Sequence, residues 1–129
     1  MNKYWFDYVK SCYDLVVESE GKISIFLEHD VEAYIVQLMA KNFERTDIGQ
    51  RAIAIQILEA TSTKKQQDLL NVGDECLLIY SYPLKQSKWP SPTYYRDMGI
   101  VAYGMANHMM EKYFDISSKI LNVVFKQKM

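Results

Sequence analysis

The sequence YYRDMGIVAYGMANHM, residues 94–109, repeats small and apolar side chains at the spacing of an α-helix. Intervals of three and four residues place side chains on one stripe of a helix, whereas a half-buried strand requires strict alternation. The stripe contains seven residues: Tyr95, Met98, Gly99, Ala102, Met105, Ala106 and Met109. We expect this segment to be the fifth of six helices.

The fourth helix is predicted between a capping box and a proline. Thr63 and Gln66 have the spacing of reciprocal N-terminal capping, and Pro83 cannot continue a helix. All three prolines lie within 83–92, which predicts a loop there. The inner face of the helix would carry five residues: Leu69, Gly73, Cys76, Leu77 and Tyr80.

The loop leads into the fifth helix through Ser91 as the N-cap and Pro92 in the first turn, where a missing N–H is harmless. A break is expected near Asp115. A sixth helix should then begin at Ile116, and its basic end suits the negative pole of the helix dipole.

Three more helices are predicted nearer the N-terminus. The first covers about residues 3–18 and ends at Gly21, and residues 22–27 form an extended connector or a short helical turn. The second starts near residue 29 with Asp30 as its cap and continues to about residue 44. The third, over 48–60, is apolar nearly all round, which is typical of a central helix.

Together these elements predict one all-α domain over residues 1–129, a bundle of about six helices with short loops. The chain has 129 residues, a net charge of −1, 49% hydrophobic and 24% charged residues. Those values are typical of a soluble globular protein and exclude a disordered chain. A near-neutral chain also argues against a nucleic-acid partner.

Cys12 and Cys76 fall on apolar helix faces, which predicts buried free thiols, with a lone disulfide as the alternative. The N-terminus lacks the apolar run of a signal peptide, and the longest apolar stretch, 76–80, is too short to span a membrane. We therefore expect a cytoplasmic protein without a membrane span.

No metal or other cofactor is predicted. His29 lies among acidic neighbours that point in different directions once helical, and His108 with Glu111 gives His-x-x-Glu once, the reverse of the di-iron order. Phosphate-loop, nucleophile-elbow and zinc-protease motifs do not occur, so the sequence indicates no recognised catalytic residue. An enzyme using a carboxylate or His108 remains a third hypothesis.

Gly73 and Gly99 lie on predicted inner faces, where a missing side chain permits close approach of a neighbouring element. Either the helices pack tightly within one monomer, or the glycines form a homodimer contact or a ligand slot. Likewise, the 17 aromatic residues, 10 of them Tyr, serve either core packing or an aromatic pocket or protein-binding surface.

Two short motifs resemble those of a group of small all-helical proteobacterial proteins with no known activity. The run 70–78 contains GD-x-x-L from Gly73 to Leu77, and the run 94–103 contains Y-x-x-x-G-x-x-A-Y from Tyr95 to Tyr103. The resemblance implies a helical fold and a bacterial source. Of the basic residues frequent in that group's inter-helix loop, only Lys85 and Lys88 are present here.

The leading functional hypothesis is a non-enzymatic protein-interaction module that self-associates as a homodimer or binds another protein. The alternative is a bundle that binds a small molecule or lipid. Its pocket would use Tyr80, Tyr95, Met98 and Gly99, with Asp74 or Arg96 as the polar anchor.

Overall fold

The computed structural model describes residues 3–42, 59–60, 62–63, 65–82 and 91–127. Those residues contain five helices and no strand, which confirms the all-α prediction. The helices are α1 (Lys3–Ile23), α2 (His29–Asn42), α3 (Gln66–Ser81), α4 (Pro92–Met105) and α5 (Met110–Gln127). The helix predicted over 48–60 lies outside the described residues except for 59–60, which are helical.

The last helix, α5, is the centre of the described bundle, because it contacts each of the other four helices. Its stripe of six inward residues is almost completely buried: Met110, Phe114, Ser117, Ile120, Leu121 and Val124. Helices α3 and α4 form an antiparallel pair, since Gln66 at the start of α3 donates to the carbonyl of Ala106 at the end of α4 (2.7 Å).

The apolar residues divide into two packed clusters. The larger one contains residues of all five helices, including Cys12 of α1 and Tyr103 of α4. The smaller one lies between α3 and α4 and includes Cys76 and Tyr95. Both cysteines are therefore buried and form no disulfide, as predicted, and burial raises the pKa of Cys76 to about 12.

Gly99 allows α4 to approach both α3 and α5. A Cβ added there would lie 2.6 Å from Cε2 of Phe114 and 2.8 Å from Cβ of Cys76. Those distances are shorter than van der Waals contact, so only glycine fits without displacement of the core. The glycine on this stripe thus serves packing within the monomer.

The prediction of a break near Asp115 is wrong, because α5 runs unbroken from Met110 through that residue. Helix α4 ends earlier, in a Schellman turn with Asn107 in the left-handed region (φ 54°). The amide of His108 donates to the carbonyl of Tyr103 (3.0 Å), and that of Asn107 donates to Gly104 (3.0 Å). Asparagine tolerates the left-handed conformation better than most residues with a side chain. Asn107 is therefore the feature of the sequence that indicates the end of α4.

Two other predicted helix boundaries also differ. Helix α1 passes through Gly21 to Ile23, since a single glycine weakens a helix without ending it. The N-cap of α3 is Lys65, with no side-chain cap, and the Thr63 hydroxyl bonds to Asp68 instead (2.8 Å).

The predicted N-cap of α4 is confirmed. The side chain of Ser91 accepts a hydrogen bond from the amide of Tyr94 (3.3 Å), and Pro92 occupies the first turn. This cap satisfies one of the unpaired amides at the helix start.

A buried carboxyl group holds the connection between α1 and α2. Glu20 is only 3% exposed, and its Oε2 accepts a hydrogen bond from the amide of Leu27 (2.7 Å). Burial, and the neighbouring carboxyl of Glu32, raise the pKa of Glu20 to about 7. The protonated form is therefore favoured in the folded chain well above the pH at which an exposed glutamate ionises.

A pair of glycine substitutions tests the packing role of Gly99. We expect Gly99→Ala to lower the free energy of unfolding by about 1–3 kcal/mol, because the methyl group overpacks the core. Gly21→Ala is the matched control, since a Cβ there meets no atom within 4 Å, and it should stabilise helix α1 by about 0.5–1 kcal/mol. Urea unfolding of both variants measures the difference, and equal effects would contradict the packing role.

The pH dependence of stability tests the state of Glu20. Because folding raises its pKa from 4.5 to about 7, the folded chain binds this proton more tightly than the unfolded chain. The resulting stability is present below the unfolded pKa and is lost as pH rises through the folded pKa. Glu20→Gln, which mimics the protonated form, should therefore remove part of the fall in melting temperature between about pH 5 and pH 8.

Glu18→Gln is the control for that experiment, because Glu18 lies on the same helix with an exposed side chain. Its melting curve should keep the pH dependence of the parent chain. A Glu20→Gln variant that follows the parent profile would contradict the raised pKa.

Candidate functional site

Two tyrosine hydroxyls from different helices donate hydrogen bonds to the same carboxylate oxygen, Oδ1 of Asp74. Tyr103 on α4 does so at 2.6 Å, and Tyr34 on α2 makes the second bond. Since Asp74 lies on α3, this cluster joins three helices through one side chain. We call Tyr34, Asp74 and Tyr103 the tyrosine–aspartate cluster.

The residue before Asp74 makes this arrangement possible. A Cβ on Gly73 would lie 2.7 Å from Cε1 of Tyr103, so the Tyr103 ring rests directly on the backbone of α3. The ring is fully buried, and its hydroxyl would be an unsatisfied polar group without Asp74. Gly73 and Asp74 therefore act as a pair, one admitting the ring and the other binding its hydroxyl.

His108 closes one side of the cluster. Its ring stacks on Tyr103 with 5.8 Å between ring centres and lies 4.9 Å from the centre of the Tyr34 ring. Its Nδ1 accepts a hydrogen bond from the amide of Met110 at the start of α5 (3.2 Å). The imidazole thus caps α5 through Nδ1 and covers the two tyrosine rings.

Burial is the main influence on the titration of the cluster. It raises the pKa of Asp74, against the hydrogen bonds from Tyr103 and Tyr34 and the positive charge of Lys41, which lower it. Burial and the charge of Asp74 also raise the pKa values of both tyrosines above their ordinary range. Both hydroxyls therefore keep their protons at neutral pH and act as hydrogen-bond donors.

A groove lies elsewhere on the bundle, and it contains two of the predicted binding residues, Tyr80 and Arg96. Its volume is about 720 Å³. Arg96 makes a two-point ion pair with Asp115, from Nε to Oδ1 (2.7 Å) and from Nη2 to Oδ2 (2.7 Å). Arg96 lowers the pKa of Asp115, so the carboxylate stays ionised.

The floor of the groove is a hydrogen-bonded link between α3 and α5. The Ser81 hydroxyl is bonded to the Leu77 carbonyl (2.7 Å) and to the Ser118 hydroxyl (2.9 Å). The side-chain amide of Asn122 donates to the Ser81 carbonyl (3.0 Å). These polar groups have partners within the protein, so they hold the groove in a fixed shape.

The structure does not bring the six predicted binding residues into one pocket. Asp74 lies in the tyrosine–aspartate cluster, whereas Tyr80 and Arg96 line the groove. The remaining three, Tyr95, Met98 and Gly99, pack in or against the core between α3, α4 and α5.

A further surface lies on helix α1, where three large apolar side chains are exposed. Phe6 is 62% exposed, Tyr13 46% and Val17 41%. Seven and four residues separate them, so they fall on one side of the helix, beside an ion pair between Lys10 and Asp14 (3.0 Å). We call these five residues the α1 surface. This exposed apolar pattern was not predicted from the sequence.

Comparison with protein-family models, with curated proteins and with solved structures finds no match to this chain. The resemblance to the proteobacterial group therefore stays a prediction. No helix among the described residues is long and apolar enough to cross a bilayer. The same residues contain no group of three His, Cys, Asp or Glu side chains placed to hold a metal ion.

Removal of one hydroxyl tests the tyrosine–aspartate cluster. Tyr103→Phe should lower the free energy of unfolding by about 1–3 kcal/mol, because the half-buried Asp74 carboxyl loses one of its two hydroxyl donors. Tyr13→Phe is the control, since Tyr13 is exposed on α1, and its effect should stay within about 0.5 kcal/mol. Chemical denaturation measures both, and an equally small loss for Tyr103→Phe would show that the bond adds no stability.

Proposed function

We propose that this protein is a protein-interaction module that self-associates through the α1 surface. The observation that carries the proposal is the exposure of Phe6, Tyr13 and Val17 on one side of a helix whose opposite side is already buried in the core. Exposure of a second apolar stripe to water raises the free energy of the chain unless another surface covers the stripe.

A second copy of the chain complements this surface better than an unrelated apolar patch does. If two α1 helices pack antiparallel about a twofold axis near residue 12, Lys10 of each copy faces Asp14 of the other. Phe6 then lies over Val17, and the two Tyr13 rings meet close to the axis. An isologous contact requires such self-complementarity. The opposite charges at positions 10 and 14 supply it.

The expected association is weak. The α1 surface covers about three helical turns, roughly 16 Å at 1.5 Å per residue. Such an area falls at the small end of specific interfaces, where weak and transient encounters are found. A dimer should therefore form only as concentration rises. Two buried cysteines that form no disulfide fit a reducing compartment such as the bacterial cytoplasm.

A charge exchange across the proposed axis tests the dimer. We expect Lys10→Glu alone and Asp14→Lys alone to weaken association, because each places like charges opposite one another. The double variant, Lys10→Glu with Asp14→Lys, should restore it. Sedimentation velocity between about 10 µM and 1 mM covers the affinity range expected for a small interface.

Val17→Glu supplies a second variant, which should abolish association because it places a charge in the apolar seam. Val101→Glu is its matched control, since Val101 is similarly exposed but lies on α4. Parent chain that stays monomeric throughout the range would overturn self-association. If Val17→Glu left the dimer unaffected, the contact between the two copies would have to lie on a surface other than α1.

A further inference from the structure

We propose that the groove between α3, α4 and α5 binds a monocarboxylate with a short aliphatic chain. The inference is independent of self-association, because no residue of the α1 surface lines the groove. A volume of about 720 Å³ lies within the usual range of small-molecule sites, about 300–1,000 Å³.

One end of the groove is arranged to receive a negative charge. Asp115 and Asp97 together accept from three N–H groups of Arg96. A guanidinium carries five such groups, so two remain for a ligand while Asp115 fixes the orientation of the side chain. Lys119, one helical turn after Asp115, also lines the groove and supplies a second cation.

The charge of the lining favours a single negative charge. Arg96 and Lys119 are opposed by Asp115 in the lining and by Asp97, which also accepts a hydrogen bond from Arg96, so these four groups are neutral together. A carboxylate therefore adds only one negative charge beside Asp115, whereas a phosphate monoester would add up to two. A planar carboxylate also matches the geometry of the remaining guanidinium N–H groups.

The rest of the lining is suited to an alkyl chain. Ile23 and Ile25 come from the end of α1 and the connection after it, Val123 comes from α5, and Tyr80 contributes a ring. Each buried methylene of a ligand gains about 0.8 kcal/mol by leaving water. The polar groups of the floor need no hydrogen bonds from the alkyl chain, because Asn122 and Ser118 already bond to Ser81.

Octanoate is the probe for the test, with 1-octanol and octylamine as controls of equal chain length. Titration of ¹⁵N-labelled protein, followed by amide shifts, should give saturable binding of octanoate in the millimolar range or tighter. The shifted amides should include those of Arg96, Lys119 and Val123. Octanol should bind at least about tenfold more weakly because it cannot form charge-assisted hydrogen bonds, and octylamine should not bind.

Lys119→Gln should weaken octanoate about tenfold through the loss of one charge-assisted contact. Lys126→Gln is the matched control, because it removes the same charge from the same helix outside the groove. Val123→Asp should abolish binding. Each variant keeps an amide spectrum that shows whether it is folded.

Three results with the parent chain would overturn the proposal: non-saturable shifts, shifts confined to the α1 surface, or equal affinity for octanoate and octanol. Equal affinities of Lys119→Gln and Lys126→Gln would also do so, because they would remove the role of the groove cation. Failure of these measurements leaves the sedimentation test of the α1 surface unaffected.

Discussion

Two tyrosine hydroxyls share one carboxylate oxygen of Asp74, and this contact joins α2, α3 and α4 at a single point. The contact requires all three side chains, because burying any one polar group without its hydrogen-bond partners is unfavourable. Tyr103 can reach Asp74 only because Gly73 leaves room for its ring. The relative placement of the three helices therefore depends on two adjacent residues: Gly73, which leaves space for the ring, and Asp74, which accepts the hydrogen bonds.

The same constraint explains the residue types of the two short motifs, Gly73–Leu77 and Tyr95–Tyr103. Gly73, Asp74 and Tyr103 meet in the cluster, and Gly99 receives the edge of Phe114 from α5. Both motifs thus describe contacts between helices within one chain. Their role in a tightly packed core is sufficient reason for those residue types, and the surfaces proposed for binding lie elsewhere.

The α1 surface and the groove present different chemistry to solvent. The α1 surface combines apolar side chains with one ion pair of its own, which suits another copy of the same helix. The groove combines an oriented guanidinium with an aliphatic wall, which suits a small anion.

The repeating pattern of apolar residues was enough to predict the helical class, most helix positions and the inward face of α3, because periodicity is a local property. The Ser91 cap was predictable for the same reason. The pairing of helix faces was not predictable from the sequence, since Asp74 and Tyr103 lie 29 residues apart and Tyr34 and Asp74 lie 40 apart. Tyr95 and Tyr80 look alike as aromatic residues, yet packing buries the first in the core and places the second in the groove. Local spacing determines which side of each helix is apolar. Which helix faces pack together depends on the fit of aromatic rings against glycines and on the hydrogen bonds of hydroxyls to a carboxylate.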